Sequence, residues 1–428
     1  MPSRQVTFAS LFALLGLLAA APASGTTLSA TSTTLVAGRA DPRDGTLHTV
    51  VPFLELVTLR AYDFGSPSIE NAEVVLSGWG ELVAGDPRDG KKGLGDLDLA
   101  YGEGSILKRR LFARVGRQFV VPGAASLLHL DGANATLNII HGIGISGFAG
   151  APVSPRFGYD YGDFAAGARA FYRPRIETEL GLSYVFMYGH ETILRRDLGF
   201  DGRARLLPGL SLMSYVRYAV TEKRIVDGNL ALHYQILPDL EVAAVARRSA
   251  PDLFLPRYSI FSVFSEETRD EWGGFAYYRP VRWLDISADF YQFHNEAGTG
   301  YNTSGRVTGD LGRRGWHRFG VEGRKLMVPS DGFQSRDGGY LMGRVFGVER
   351  FTTKLSAILD VSYYHFDNDL NGYPRSVSAS GSIGWDFAPS WRAVVTGVLS
   401  ETPFASHQIE TLAKLVYNGR YVSTRKVD

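Results

Sequence analysis

The 428-residue sequence contains no cysteine, which excludes disulfide bonds, thiolate metal sites and cysteine nucleophiles. It also lacks an excess of either charge, because 45 Lys and Arg balance 44 Asp and Glu and leave a formal net charge of +1. A nucleic-acid-binding protein would carry a basic surface, so no nucleic-acid partner is expected. Beyond residue 23, no uncharged apolar run approaches the ~20 residues of a membrane-spanning helix. Any membrane contact must therefore be made by strands.

The one long apolar run lies at the N-terminus, where Arg4 precedes the Leu- and Ala-rich stretch 8–21. A small-x-small site ends at Ala23, so this run predicts a secretory signal peptide over residues 1–23. A membrane-anchoring helix is the alternative, although the run is short for one. Residues 24–428 show no break in composition that would mark a plug or a helical linker. They are interpreted as a single domain that leaves the cytoplasm.

Glycine and aromatic residues are abundant, with 49 Gly, 21 Tyr and 25 Phe, a composition that suits β-structure and interfacial aromatic girdles. The clearest pattern spans residues 376–401, where apolar or small residues alternate with serine-rich positions on either side of a turn at Pro389. Alternation at every second residue indicates strands with one apolar and one polar face. Each run has ten residues or more, and a tilted strand of about 9–11 residues crosses a bilayer.

The rest of the chain repeats this hairpin. Short turns fall at 173–175, 207–209, 237–239, 279–280, 312–315, 351–353 and 388–389, and longer polar segments at 189–196, 249–267, 296–301, 329–337 and 367–374. Alternating short turns and long loops predict an all-β, antiparallel up-and-down transmembrane β-barrel, with the short side facing the periplasm. The pattern predicts about 18 strands, within a range of 16–22, since residues 126–150 fit either one strand or two.

The signal peptide, the absence of cysteine and the alternating hairpins resemble Gram-negative outer-membrane β-barrels of the porin and exporter type. Residues 116–118 (Gly-Arg-Gln), followed by 131–133 (Asp-Gly-Ala), are similar to a strand–loop–strand pattern of alginate-export-like barrels. The resemblance implies contact with outer-membrane lipid, insertion by the barrel-assembly machinery, and passage of a polysaccharide through a charged lumen. It also implies a periplasmic export partner.

Strand parity predicts which residues line the lumen, because a Lys or Arg facing lipid at mid-bilayer costs about 2–4 kcal/mol. The predicted lumen-lining residues are Arg114, Gln118, Glu177, Glu179, Asp285, Asp289, Tyr291, Arg318, Glu322, Arg324, Asp360 and Asp386. Rings of mixed charge would focus the field and set solute selectivity. Alternatively, opposite charges pair across the lumen and only hold the shape of the wall. Both interpretations stay open at this point.

No cofactor or metal is predicted, because none of the nine histidines pairs at metal-ligand spacing. Gly142, Gly144 and Gly147 match the dinucleotide-binding motif by letter, but Gly and Pro follow where that motif needs a helix. No enzyme activity is expected. A rim hydrolase of the outer-membrane lipase or protease type is the alternative, with His294 or His365 as its base.

The predicted function is therefore an outer-membrane channel that translocates a hydrophilic solute. Carbohydrate or secreted exopolysaccharide is favoured, since Tyr291 and Tyr364 could stack on sugar faces while Asp285, Asp289 and Asp360 bind sugar hydroxyls. A structural barrel with a closed lumen is a further alternative, and it predicts no conductance.

Overall fold

The computed structural model describes residues 26–43, 46–66, 69–85, 92–125, 127–153, 163–189, 191–250, 268–312, 316–328, 338–403 and 405–422. The predicted signal peptide lies outside these ranges. So do residues 329–337 and nearly all of the predicted loop 249–267. No helix in the described part of the chain is both long and apolar enough to cross a membrane.

The described residues form 22 strands in one sheet. The strands are β1 (Thr27–Arg43), β2 (Thr46–Ser66), β3 (Ile69–Gly85), β4 (Gly93–Ile106), β5 (Leu111–Val120), β6 (Leu128–Asn138), β7 (Ile143–Pro152), β8 (Phe164–Arg175), β9 (Thr178–Gly189), β10 (Thr192–Leu207), β11 (Leu210–Ala219), β12 (Arg224–Leu237), β13 (Leu240–Ser249), β14 (Arg269–Val281), β15 (Leu284–Asn295), β16 (Gly298–Leu311), β17 (His317–Met327), β18 (Tyr340–Arg350), β19 (Leu355–Leu370), β20 (Tyr373–Ala388), β21 (Trp391–Thr402) and β22 (Ala405–Val422).

Each strand pairs antiparallel with the next one along the chain, and β1 pairs with β22 from Thr27↔Val422 to Gly38↔Thr411. The sheet is thus a closed up-and-down barrel, in which every described strand pairs with two neighbours. Closure matters because a bilayer offers no water to the N–H and C=O groups of an open edge. We call the end with connections 208–209 and 389–390 the turn rim, and the end with 250–268 and 328–339 the loop rim.

The predicted count of about 18 strands is wrong, since the barrel has 22. Residues 126–150 hold two strands, β6 and β7, joined at His141 and Gly142, both of which have positive φ angles. Several predicted loops are also partly strand: β10 already begins at Thr192 and β16 at Gly298. Apolar and polar residues alternate only weakly in the N-terminal strands. Such a strand can still form without a clear apolar face, because pairing with both neighbours holds it in the sheet.

The barrel has two chemically distinct faces, because side chains alternate along each strand. One face carries exposed apolar residues such as Val115, Leu182 and Val395, which are 63%, 59% and 60% exposed. The other carries charged and amide side chains. The charged face is the inner one, because the connection 121–125 crosses from the end of β5 to Asp201 of β10 on that side. The outer face is therefore the apolar surface that contact with lipid requires.

The wall is uneven in height. β2 has 21 residues and β1 and β3 have 17 each, whereas β5 and β7 have 10. A tilted strand of about 9–11 residues suffices to cross the bilayer, so β5 and β7 are of minimal length. Strands β11 and β13 have 10 residues as well, and the site described next lies beside β5 and β7.

Candidate functional site

The connection between β5 and β6 folds into the barrel. The backbone N–H of Ala124 donates to Oδ1 of Asp201 on β10 at 3.2 Å, which brings residues 121–125 across the inner faces of β7, β8 and β9. Beneath it lies a buried apolar cluster of Val120, Ala125, Leu128, Leu130, Phe148, Ala165, Val185 and Met187. Burial of these side chains holds the connection against the wall. This segment, which we call the inner loop (residues 121–125), narrows the lumen from one side.

Two glycines make room for the inner loop. Gly123 has a φ of +59°, and a Cβ there would lie 2.2 Å from Oδ1 of Asp201 and 2.6 Å from Nε of Arg169. At Gly199 of β10, a Cβ would lie 2.5 Å from the backbone N of Ala125. No other residue type fits this approach of loop to wall without a shift.

A network of charged side chains on the wall contacts the inner loop. Arg169 of β8 contacts both Asp201 and Glu179, the latter at 2.8 Å. Glu179 also accepts from Arg173 at 2.7 Å and from Arg203 at 3.3 Å. The side chains of Arg169 and Glu179 are only 13% and 11% exposed. A charge so buried is tolerated because its partners and hydrogen bonds compensate the lost hydration.

A second polar group anchors the base of the loop. Gln118 of β5 is fully buried; its Nε2 donates to the carbonyl of Gly132 at 3.1 Å, and its Oε1 accepts from Nδ2 of Asn134 at 2.9 Å. Nearby, Arg114 pairs with Glu103 at 2.5 Å, and its guanidinium lies 4.4 Å from the ring centre of Tyr101. Every polar atom of the Gln118 amide thus has a partner, as burial demands.

The tripeptides 116–118 and 131–133 form one cross-strand unit. Gly116 lies opposite Gly132 in the β5–β6 ladder. A Cβ on Gly116 would lie 2.1 Å from the carbonyl oxygen of Ala100, so the strands approach closely there. On the outer face, Arg117 makes a two-pronged pair with Asp131, with distances of 2.8 and 2.7 Å. The pattern is therefore explained by packing in the wall.

The inner face of β14 to β21 has a different character. Asp285 accepts from Nε of Arg279 and from the hydroxyl of Tyr277, both at 2.6 Å. Further along, Arg318 makes two bonds of 2.8 Å to Asp310. Additional pairs are Asp289–Ser304, Arg344–Asp360, Arg344–Glu322, Arg324–Glu322 and Arg392–Asp386. The arginines of these pairs are 37–47% exposed and their carboxylate partners 10–40%, and no described loop covers them.

The structure places eleven of the twelve predicted residues on inner-facing positions of strands, and Glu177 in the turn between β8 and β9, where Arg205 contacts it at 2.9 Å. They are spread around the wall rather than gathered at one point. Their ionic partners lie on the same strand or within two strands, as for Arg344 of β18 with Asp360 of β19 and Arg318 of β17 with Asp285 of β15. Pairing thus runs along the wall. Whether these residues line an open pore stays a prediction.

Sequence reasoning missed Arg169, Asp201 and the inner loop. Ala124 and Asp201 are 77 residues apart, and no local pattern links them. The one available signal was the small-residue run 123–125 between two strands, which gives a short connection little bulk.

The two histidines considered for a rim hydrolase do not have the surroundings of a hydrolase site. His294 Nδ1 contacts the Thr299 hydroxyl at 3.2 Å, and His365 lies on an outer-facing position of β19. Among the described residues, no group of three or more His, Asp or Glu could hold a metal ion. Gly142 occupies a turn and is followed by strand β7, so the local structure differs from the strand–turn–helix of a dinucleotide site.

No protein-family model and no curated protein sequence matches the chain. Among solved structures, it is similar to the translocation pore of the P pilus usher PapC, with a TM-score of 0.52 and 9% identity over 92% of this chain and 99% of that chain. It is also similar to OccAB4 of Acinetobacter baumannii (TM-score 0.46, 10% identity, 94% and 99% coverage) and OpdQ of Pseudomonas aeruginosa (0.47, 10%, 92% and 99%).

At such identities the similarity concerns the fold alone, and it does not show the narrower likeness to alginate-export-like barrels. The fold nevertheless agrees with the chemistry of the wall. The barrel is closed, it contains 22 antiparallel strands, and its outer face is apolar. The protein is therefore a β-barrel with the fold of outer-membrane channels, and this fold indicates a location in the outer membrane.

Proposed function

We propose that the protein is a passive outer-membrane channel for a hydrophilic solute. The observation that supports this most strongly is the polar lining of β14 to β21, whose paired arginines are 37–47% exposed, on the side away from the inner loop. A closed wall of this size encloses a lumen wider than its own side chains fill. Transport is then sieving by width and lining, without a covalent step.

The lining favours a neutral solute over an ion. Arg279, Arg318 and Arg344 each contact a carboxylate on the same or a neighbouring strand, so the wall presents dipoles rather than a field of one sign. Ions gain from a field of one sign, whereas a polyhydroxyl solute exchanges hydrogen bonds with donors and acceptors of both kinds. This supports carbohydrate, including an exported polysaccharide, as the solute class.

An aromatic group near the loop rim adds to this case. Tyr364 lies edge-on to Tyr340, with ring centres 5.5 Å apart, and stacks with Phe366 at 6.5 Å. All three occupy inner-facing positions of β18 and β19. Sugar rings present C–H faces that stack on aromatic rings, so this group would receive a saccharide at the mouth.

Conductance in planar bilayers with added oligosaccharides tests the proposal. We expect open channels with concentration-dependent block by sugar, and weaker block in Tyr364→Ala. Tyr363→Ala is the matched control, because Tyr363 occupies the adjacent, outer-facing position of the same strand. Conductance without sugar block would reduce the proposal to a general pore. Absence of any conductance would favour a structural barrel with a closed lumen.

The expected partners are consequences of the proposal and do not add support to it. Insertion by the barrel-assembly machinery is expected of any such barrel. A periplasmic export partner is expected only if the solute is secreted, and genes for polysaccharide synthesis beside this one would favour that direction.

A further inference from the structure

Ser211, His233 and Glu241 occupy neighbouring inner-facing positions of three adjacent strands. His233 Nδ1 lies 2.9 Å from Oε1 of Glu241, which is on the next strand, β13. Ser211 of β11 lies directly opposite His233 in the β11–β12 ladder. Directly opposed residues have Cβ atoms about 4.5–5.5 Å apart, so a rotation of the Ser211 side chain can bring its hydroxyl towards the imidazole.

The three residues line one hollow. Its volume is about 230 Å³, and the remaining lining is Gly209, Met213 and Gln235. Ser211 and Glu241 are the second residues of their strands, so the hollow opens into the lumen beside the turn rim. The ring of Phe275 on β14 lies edge-on to the imidazole of His233, with ring centres 5.6 Å apart, and the hollow is distinct from the inner loop.

We propose that Ser211, His233 and Glu241 form a hydrolase site that cleaves short acyl esters of hydrophilic alcohols. The arrangement has the logic of a catalytic triad: a carboxylate fixes the tautomer of a histidine, and a serine stands beside that histidine. With Nδ1 turned towards Glu241, Nε2 is the nitrogen left to act on Ser211. Serine–histidine contacts are often loose before a substrate binds. The site goes beyond the passive channel and does not depend on it.

The reaction balances with water alone. Ser211 Oγ attacks the ester carbonyl while His233 Nε2 takes the hydroxyl proton; the C–O bond to the alcohol then breaks, and the alcohol leaves with that proton. Water next attacks the acyl-serine, giving a proton to Nε2 and hydroxide to the carbonyl carbon. The acid departs, and Ser211 regains its proton. No oxidant, reductant or metal is needed.

The lining indicates the substrate class. Met213, 53% exposed, gives one apolar contact beside Ser211 and suits a short acyl group. Gln235 Nε2 donates to the Pro238 carbonyl at 3.2 Å and has a second N–H that could stabilise the oxyanion. The rest of the hollow faces the polar lumen, so a water-soluble alcohol such as an O-acylated sugar fits better than a lipid.

The test uses the full chain, purified in detergent and reacted with a fluorophosphonate probe and with p-nitrophenyl acetate. We expect mass spectrometry to find the probe on Ser211, and Ser211→Ala to lose both labelling and hydrolysis. Glu241→Gln should slow hydrolysis on the order of 10²–10⁴-fold. Ser378→Ala is the matched control and should react as the wild type does, because Ser378 is an inner-facing serine opposite Ser362 and Ser400, without a histidine.

Two results would overturn the proposal: a wild-type protein that takes no probe at Ser211, or a Ser211→Ala variant that hydrolyses the ester as fast as the wild type. Mapping of the probe on the wild type stays decisive even if a variant fails to fold. Conductance of the wild type, measured in parallel, separates this outcome from the channel, because a wild-type protein that conducts but has no esterase activity refutes only the hydrolase site.

Discussion

The inner faces of β5–β10 and of β14–β21 carry the same residue types and use them differently. In the first region, which we call the covered sector, the inner loop buries Arg169 and Glu179 to 13% and 11% exposure. In the second, the open sector, Arg318 and Arg392 stay 45% and 43% exposed. Pairing alone does not separate the sectors, because arginine–carboxylate pairs occur in both. Hydration does.

Because they differ in hydration, arginine–carboxylate pairs of the two sectors should have different roles. Removing one partner of a buried pair leaves an uncompensated charge and costs about 3–5 kcal/mol, whereas an exposed pair contributes about 0–1 kcal/mol. The covered sector should therefore govern stability and the width of the lumen. The open sector should govern what passes.

The largest effect is expected for Arg169→Ala. The change removes one of the three arginine partners of Glu179 and takes the guanidinium contact from Asp201, so we expect a loss of about 3–5 kcal/mol in the free energy of unfolding. Urea unfolding in detergent micelles measures it. Arg318→Ala, in the open sector, should lose at most about 1 kcal/mol. Equal losses for the two variants would abolish the distinction between the sectors.

Gln118→Leu tests the covered sector without changing charge. The leucine removes the acceptor of Asn134 Nδ2 and leaves that amide short of a partner, at a cost of about 1–3 kcal/mol in unfolding free energy. Gln292→Leu is the control, because Gln292 lies at an outer-facing position of β15, opposite Trp272 and Tyr301. If both variants unfold at the same urea concentration, burial of Gln118 contributes nothing specific.

The two sectors also differ in how far the sequence predicts them. The alternation of residues 376–401 predicts a barrel strand and an inward position for Asp386. In the open sector this works because the sequence of each strand shows which of its residues face outward. In the covered sector the decisive contact joins Ala124 to Asp201, 77 residues apart. Glycines such as Gly132 occur there because neighbouring backbones approach closely, and they make the alternation of apolar and polar residues harder to recognise. The strand count failed in the N-terminal third for the same reason.

Gly123→Ala should move the inner loop. The added Cβ meets Asp201 and Arg169, and its left-handed φ costs about 1–2 kcal/mol in addition. We expect a larger single-channel conductance, because the displaced loop widens the lumen. Gly372→Ala is the matched control: its φ is +82°, but no atom of the described residues lies within 4 Å of the new Cβ. A conductance unchanged in Gly123→Ala would show that the inner loop is not the constriction.

The smallest effect on stability, and the most direct on passage, is expected for Asp285→Asn. The carboxylate is shared by Arg279 at 2.6 Å and Arg318 at 3.8 Å, so its loss leaves uncompensated positive charge on a half-exposed wall. Water screens that charge, and unfolding should change by at most about 1 kcal/mol. The lumen, however, gains a local positive field, and the reversal potential in a salt gradient should shift towards anion preference.

Asp270→Asn is the control, because it removes a carboxylate from the outer face of β14, where Asp270 pairs with Arg248 at 3.2 Å. Its reversal potential should match the wild type, because the freed charge faces away from the lumen. If the two variants shift alike, the field that ions sense does not come from the inner wall, and dipolar pairing cannot be the basis for preferring neutral solutes. If only Asp285→Asn shifts, the open sector is the surface that passing solutes meet.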